Sequence, residues 1–346
     1  MIAYQDTKIK DVILHFVGNS FNEELLTLGN TKLEYSEDVE EHLLTYFLSS
    51  FKENEFFRFH HETILNLNEL YAYVEAIFEN PDDIVAHSKS IAKHLYEHSN
   101  HPKIKGGEFY VAYIKNCLLE GETMDAIGLF KSENKDTFLD VKNSEGVFQI
   151  DSQEGIHINK LDKGAIIFNT EKKDGYVLSV IDNTNKGSDA KFWFDHFLHV
   201  KQREDAYYQT ESIMNLAKDF ITKELPKEFS ADKADQAEML NKSASYFQEQ
   251  EEFDLSEFAN VVIQQPDIID SFNDFTTSYQ RDKAISIPEN FELNETAVNK
   301  KKGVFKSVIK LDKNFSLYVH GDRTKIERGE DENGKKFYTL WYDEER

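Results

Sequence analysis

The sequence predicts an α+β protein of two domains: helices packed on a mainly antiparallel sheet, followed by a second, smaller α+β domain. Its 346 residues exceed the length of one typical compact domain. Apolar runs of strand length and apolar residues at helical spacing occur in separate blocks, without the strict alternation of a parallel α/β fold. Between two of the strand runs lies Asp174-Gly175, a dipeptide that favours the tight turn of an antiparallel hairpin.

The first hundred residues begin as strands and continue as helices. Apolar residues alternate over 12–16, and a second strand is predicted over 31–35. Ser36 is a candidate N-cap for the helix that follows. Further helices are predicted over 68–78 and 82–98 from their apolar spacing and flanking prolines.

From Gly106 the pattern changes to short apolar runs that predict strands. These runs cover residues 109–119, 124–130, 147–150, 156–158, 165–168 and 176–181. Because no helices separate them in βαβ fashion, the pattern argues against a doubly wound nucleotide-binding fold.

Two amphipathic helices are predicted after the sheet. One begins at Ser188, and the other has Thr210 as its candidate cap and ends near Pro226. The domain boundary is placed there. The N-terminal α+β domain is residues 1–225, and the C-terminal domain of helices and a small sheet is residues 226–346.

The C-terminal domain is predicted to start with an acidic helix over 230–252. Asp254 is the expected cap of the next helix, which Pro266 is expected to end. Asn333-Gly334 is a second hairpin dipeptide. Strands are predicted over 304–311, 315–319, 324–328 and 337–342.

Composition limits the compartment and the chemistry. The N-terminus lacks a signal-peptide pattern, and no apolar stretch approaches the roughly 20 residues that span a bilayer. Cys117 is the only cysteine, so an intrachain disulfide and a four-cysteine zinc site are excluded. We therefore expect a cytoplasmic protein without membrane contact, with Cys117 as a core residue.

Histidines form two groups that raise the idea of a metal. One group is spaced by seven, four and three residues: His87, His94, His98 and His101. The other group is Asp195, His196 and His199. For each group, the alternative to a metal site is a polar helix face exposed to solvent. Neither group has an obvious complete set of metal ligands nearby. We predict no metal and no cofactor.

Signatures of catalysis are missing from the sequence. It contains no Walker A loop, no dinucleotide fingerprint, no GxSxG elbow and no HExxH motif. Carboxylates are too abundant for any acid/base pair to be chosen from sequence. We predict a binding protein rather than an enzyme, and assign no catalytic residue.

The charge balance is strongly acidic. With 64 acidic and 40 basic residues, the net charge is −24, which repels nucleic acid at long range. Nucleic-acid binding therefore requires that positive charge be concentrated locally. The distribution of lysine and arginine along the chain decides between the alternatives.

The larger basic feature lies between residues 300 and 328, with nine basic and three acidic residues and a local charge of +6. The candidate DNA-binding residues are Lys300, Lys301, Lys302, Lys306, Lys310, Arg323 and Lys325. Tyr318 and His320 follow on the next predicted strand, which suggests a basic and partly aromatic sheet face. The alternative is a solvated sheet edge protected by lysines.

A smaller basic feature precedes the first long strand. The secondary candidate residues are Lys103, Lys105, Gly106 and Gly107. Backbone N–H groups in such a turn can meet a phosphate. The alternative is a turn that needs glycine conformations to enter the sheet.

Several stretches from Gly106 onward resemble one family. They are EFYVAYIKNCLL, GIHINKLDKGAIIFN, FWFDHFL and SIPENFELNETAVNKKKGVFKSVIKLDKNFSLYVHG. In this order they resemble the bacterial nucleoid-associated proteins called NdpA or YejK. The resemblance rests on several short matches in the same order along the chain.

The resemblance implies nucleoid association, with double-stranded DNA as the suspected ligand. Other nucleoid proteins and further copies of the chain are separate candidate partners. It supplies no catalytic residues. The first alternative is an adaptor, or an acidic DNA mimic, that acts at the nucleoid without touching DNA. The second is an unrecognised hydrolase. Clustering of the basic residues would favour DNA binding, and scattering would favour the adaptor.

Overall fold

The chain folds as two compact units in a computed structural model. Unit 1 is Met1–Arg203 and unit 2 is Glu204–Arg346. The predicted boundary after residue 225 lies inside unit 2, because the helix before it contributes to the core of that unit. The structure describes residues 2–3, 6–52, 55–184, 192–320 and 323–345.

Unit 1 contains a large sheet and three α-helices among its described residues. The elements are β1 (Ile2–Ala3), β2 (Lys8–Val17), β3 (Leu26–Thr27), α1 (Glu37–Leu48), β4 (Phe57–Phe59), α2 (Glu69–Glu79), α3 (Ile84–His98), β5 (Gly107–Leu119), β6 (Glu122–Ser132), β7 (Asp136–Ser144), β8 (Val147–Gly155), β9 (Lys163–Phe168), β10 (Val177–Asp182) and β11 (Val200–Gln202). A π-helical segment, Phe192–Leu198, precedes β11.

The large sheet is antiparallel throughout, in the order β11-β4-β10-β9-β6-β5-β2-β3, with β1 also paired to β5. Successive residues of β5 point to opposite faces, and both faces are covered. Phe109 packs in the cluster that includes α2 and α3, whereas Tyr110 packs in the cluster that includes α1. Burial on two sides explains the nearly continuous apolar run. The predicted α+β class is confirmed.

Three local predictions for unit 1 differ from the structure. Residues 31–35 and 156–158 are not strands. The β9–β10 connection is longer than the tight turn expected at Asp174-Gly175, because a 3-10 turn, Lys172–Asp174, is inserted. Gly175 has φ +102°, and a Cβ there would lie 2.4 Å from the Phe59 carbonyl oxygen, so glycine is required.

Unit 2 is mainly helical, with three small two-stranded sheets in its described part. The elements are α4 (Ala206–Asp219), α5 (Leu225–Glu228), α6 (Lys233–Glu249), β12 (Glu252–Asp254), α7 (Leu255–Phe258), α8 (Pro266–Lys283), β13 (Asn290–Glu292), α9 (Glu295–Lys301), β14 (Val308–Leu311), β15 (Phe315–Tyr318), β16 (Ile326–Glu330) and β17 (Lys336–Leu340). The sheets are β12–β13, β14–β15 and β16–β17.

The helix ends of unit 2 test the capping and helix-ending residues predicted from the sequence. Asp254 accepts a hydrogen bond from the Glu257 backbone, as predicted for a cap. Asp205, rather than Thr210, caps α4 by accepting from Tyr208. Pro266 begins α8 instead of ending the previous helix, because its missing N–H is not needed in a first turn. No helix in the described parts of the chain is long and apolar enough to cross a bilayer.

Candidate nucleic-acid interface

A groove of about 540 Å³ lies in unit 2 between α6, the 3-10 turn Lys302–Phe305 and the β14–β15 hairpin. We call it the basic groove. Its lining residues are Asn241, Ala244, Gln248, Lys302, Phe305, Lys306, Ser307, Val308, Lys310, Ser316, Tyr318 and His320.

The β14–β15 hairpin gives the groove one of its walls. Val308 pairs with Tyr318 and Lys310 pairs with Ser316, so these four residues lie on the same face of the hairpin. The intervening residue Ile309 points to the other face, where it is buried in a cluster with alanines of α6. This two-residue alternation holds the hairpin on α6 and leaves its polar face open to the groove.

Asn241 of α6 fixes the two strands where they enter the groove. Its amide nitrogen donates to the Val319 carbonyl oxygen at 2.9 Å. Its amide oxygen accepts from the Ser307 hydroxyl at 2.7 Å. The Val319 backbone N–H in turn donates to the Ser307 carbonyl oxygen at 2.9 Å. Both polar ends of Asn241 are therefore occupied in holding the wall.

The groove is positively charged within an acidic unit. Unit 2 carries 30 acidic and 19 basic residues. Lys302, Lys306 and Lys310 are exposed at the groove, with His320 beside them. Among the described residues that line it, none is aspartate or glutamate. Because no lining carboxylate neutralises the three ammonium groups, the groove is suited to an anionic ligand.

Four of the seven predicted residues lie outside this groove lining, and three of them are Lys300, Lys301 and Lys325. The Lys301 side chain pairs with the Glu211 carboxylate, and both are largely buried. The Lys300 ammonium lies 5.7 Å from the centre of the Tyr207 ring. Lys325 pairs with Asp343. Sequence proximity within 300–328 therefore does not bring these side chains to one place.

Arg323 binds the start of α6. Its Nε donates to Asp235 at 2.8 Å, and one terminal nitrogen donates to Asp232 at 3.2 Å. Asp232 is the N-cap of α6 and forms a reciprocal capping box with Asp235. The guanidinium also donates to the Ile326 carbonyl. Because its N–H groups donate to Asp232, Asp235 and the Ile326 carbonyl, Arg323 positions the start of α6. It does not line the basic groove.

Replacing Arg323 with Gln is expected to lower the free energy of unfolding by about 1–2 kcal/mol, because charged hydrogen bonds at a partly buried cap are lost. Urea unfolding followed by circular dichroism measures the loss. Arg328→Gln, at an exposed position on β16, is the matched control and should change stability little. Equal effects of the two substitutions would contradict a clamping role for Arg323.

The secondary candidate at the start of β5 is explained by packing. A Cβ on Gly107 would lie 1.7 Å from the Ser132 carbonyl oxygen, and one on Gly106 would lie 2.3 Å from the Glu24 carboxylate. Lys105 donates to the Asn134 side chain at 2.7 Å. Gly107 is thus required by close approach of backbone, whereas the atom nearest to Gly106 is the end of the flexible Glu24 side chain, whose carboxylate disfavours a phosphate. These contacts favour the turn interpretation for Lys103, Lys105, Gly106 and Gly107.

The two histidine groups lie close together in the fold. His94 and His98 are on α3, and His199 directly follows the π-helical segment. His94 uses both ring nitrogens within the protein, at 3.0 Å from the Glu69 carboxylate and 3.2 Å from the Phe197 carbonyl oxygen. Burial and the neighbouring His94 lower the pKa of both His98 and His199. Among the described residues, no group of three or more histidine, cysteine or acidic side chains is arranged to hold a metal.

A buried ionic network was missed from sequence. Lys131, Lys163 and Asp182 lie on one rung of β6, β9 and β10. The Lys163 ammonium is 2.8 Å from Asp182 and 3.5 Å from Glu133, which lies 2.9 Å from Lys131. All four side chains are at least 96% buried. The sequence signal was a lysine directly beside each of two apolar strand runs.

Comparison with known proteins identifies the family. A family model described as nucleoid-associated protein YejK matches residues 13–334. The match includes every stretch on which the resemblance rests and the residues of the basic groove, so the resemblance is confirmed. No curated protein matches the chain.

Proposed function

The chain belongs to the family of nucleoid-associated proteins described as YejK, and from this premise we propose that it binds double-stranded DNA through the basic groove. The bound form would be located at the bacterial nucleoid in the cytoplasm. The observation that carries the proposal is the carboxylate-free lining around Lys302, Lys306 and Lys310 in a chain of net charge −24.

The lysines would contact phosphates, and the lining supplies few groups for reading bases. Lys302, Lys306 and Lys310 are compact charges on flexible stems, which suit phosphate neutralisation more than bidentate base recognition. The Asn241 amide, a group that often reads adenine, is already used within the wall. The expected mode is weak, salt-sensitive binding with slight sequence preference, limited elsewhere by the acidic surface.

An adaptor role is the second candidate. Four of the seven residues predicted for DNA contact make other contacts: Lys300, Lys301, Arg323 and Lys325. The positive surface is therefore smaller than the sequence predicts. This observation supports a protein that reaches the nucleoid through another protein, with its acidic exterior as the recognised surface.

The test is the salt dependence of duplex binding. Replacing Lys302, Lys306 and Lys310 together with Gln should weaken binding to a labelled duplex about 10–100-fold at low salt. It should also flatten the slope of log K against log salt by about 2–3, since each phosphate contact contributes roughly −0.9. Fluorescence anisotropy across a salt series measures both quantities.

The control removes the same charge elsewhere in unit 2. Lys227, Lys335 and Lys336 are exposed and lie outside the groove lining, so their joint replacement with Gln should leave the slope nearly unchanged. If both triple variants lose the same affinity, net charge rather than the groove is responsible. If the unmodified protein binds no duplex at low salt, the adaptor becomes the leading proposal.

A further inference from the structure

The β7–β8 hairpin of unit 1 is a two-stranded sheet of its own. Nine residues in each strand give it a length of about 30 Å. Apart from a few half-buried residues, its side chains are exposed on both faces. Because a lone two-stranded sheet is marginal in water, this hairpin needs a covering partner for independent order. We call it the arm.

The arm is amphipathic. The register places Val141 opposite Ile150, and Leu139 and Phe148 lie on the same face, two residues away along their strands. Their exposed fractions are 58%, 64%, 69% and 67%, respectively. The only charged residue on this face is Glu154, opposite Thr137 at the base.

The opposite face, which we call the ionic face, carries Asp136, Asp140, Lys142 and Asp151, together with Phe138 and Val147, which are 49% and 63% exposed. Lys142 lies 3.3 Å from Asp140 and 3.2 Å from Asp151, and Asp136 pairs with Lys160 at 2.9 Å. Polar groups on this face are therefore satisfied within the arm and its base. Four of the six exposed large apolar side chains of the arm therefore lie on the face of Val141, whereas all charged side chains of its two strands except Glu154 lie on the ionic face.

The apolar face is large enough to be an interaction surface. Its four large side chains present on the order of 400 Å² of apolar area, within the size range at which exposed patches mark binding sites. None of the four belongs to a buried cluster of the described residues.

We propose that the partner of the arm is the arm of a second copy of this chain, packed face to face and pointing in the opposite direction. Phosphate-bearing partners are disfavoured, because the ionic face is acidic and the apolar face offers no cation. Two copies, each of charge −24, repel one another except where uncharged surfaces meet, and the apolar face is such a surface.

The direction follows from Glu154. In a parallel arrangement, Glu154 of one arm would face its counterpart at the base of the other. In the antiparallel arrangement, each Glu154 lies near the tip of the opposing arm, about 20 Å from its counterpart, because residues two apart on a strand are about 6.8 Å apart. The rows of Leu139 and Val141 then face each other at the centre.

The buried area sets the strength of the dimer. Two arm faces would bury on the order of 1,000 Å² in total, at the lower end of specific interfaces. The dimer is therefore expected to dissociate in the micromolar range. The proposal concerns unit 1 and is independent of DNA binding by the basic groove.

The first test is the molar mass in solution from about 1 to 100 μM. Sedimentation velocity should show a concentration-dependent dimer for the unmodified protein, and monomer for Val141→Glu combined with Ile150→Glu, because buried carboxylates oppose packing. The matched control is Gln149→Glu combined with Gln153→Glu. It adds the same charge on the ionic face and should dimerise like the unmodified protein.

Cross-linking tests the face directly and does not require the glutamate variant to fold. Cys117 is buried, so an introduced cysteine is the only exposed thiol. Ser152→Cys, on the apolar face, should cross-link to a dimer with a bismaleimide spanning about 10 Å, the usual spacing of packed sheets. Gln153→Cys, on the ionic face, should not.

Two results would overturn the proposal. One is an unmodified protein that stays monomeric across the whole concentration range, which would assign the apolar face to a different partner. The other is a dimer that persists in the Val141→Glu, Ile150→Glu variant while both cysteine variants cross-link equally, which would place the dimer interface elsewhere.

Discussion

Replacing Lys163 with Met is expected to lower the free energy of unfolding by about 3–5 kcal/mol, the loss typical of breaking a buried ion pair from one side. The substitution removes the lysine that pairs with buried Asp182 and one of the two lysines that pair with buried Glu133. Glu133 also accepts from Lys131 and from the Thr184 hydroxyl, so the disturbance extends across three strands. Burial already lowers the pKa of Lys131, which shows how poorly this interior solvates charge.

Trp193 reports on this region. Its indole nitrogen donates to the Gly164 carbonyl oxygen at 3.3 Å, one residue from Lys163. In a Trp341→Phe background, urea unfolding followed by fluorescence measures unit 1. Lys160→Met is the matched control, because Lys160 is 65% exposed and pairs with Asp136 at the surface. A change within about 0.5 kcal/mol is expected there.

A double variant separates charge burial from packing. Lys163→Met with Asp182→Asn removes a cation and an anion together, so part of the lost stability should return. If Lys163→Met costs no more than Lys160→Met, the network does not hold the sheet together.

Acidification from pH 7 to pH 4 is expected to cost about 3 kcal/mol of stability through His15 alone. Burial, with a further contribution from Lys89, lowers the pKa of His15 from 6.5 to about 4. His15 of the unfolded chain therefore becomes protonated below about pH 6.5, whereas His15 of the folded chain becomes protonated only near pH 4. Stability from this residue is complete above pH 6.5 and is lost as the pH falls towards 4.

The geometry of the site explains why the pKa of His15 is lowered in the folded chain. His15 is 2% exposed, and its Nδ1 accepts the Gly29 backbone N–H at 3.0 Å. Protonation of Nδ1 would remove this acceptor and place a charge in the core. His15→Gln, uncharged at every pH, should flatten the pH dependence of unfolding between pH 6.5 and 4. The exposed His42→Gln control should retain the slope of the unmodified protein.

The sheet could be predicted because its strands carry their own signal. β5, β6, β9 and β10 are buried on two faces, so each appears in the sequence as an apolar run. The predicted strand over 31–35 failed for the opposite reason. Only Leu33 donates a backbone bond to β2, at 2.7 Å, and one bond does not make a strand.

The groove was predicted only in part, because a local charge count ignores distant partners. Lys302, Lys306 and Lys310 lie on adjacent segments, so sequence proximity was a fair guide. Arg323 was grouped with them, although its carboxylate partners precede it by 88 and 91 residues. Likewise, Lys163 meets Asp182 and Lys131 only because β9 lies between β6 and β10. Strand order cannot be read from apolar periodicity.

The clamp on α6 also has a consequence for biosynthesis. A ribosome synthesises Asp235 88 residues before the arginine that binds it. During that interval the capping box holds the first turn of α6 without Arg323, and its two carboxylates have no guanidinium between them. Complete docking of α6 with the C-terminal hairpins is therefore expected only when synthesis is nearly finished. In a nascent chain stalled before residue 323, the capping box alone would hold the first turn of α6.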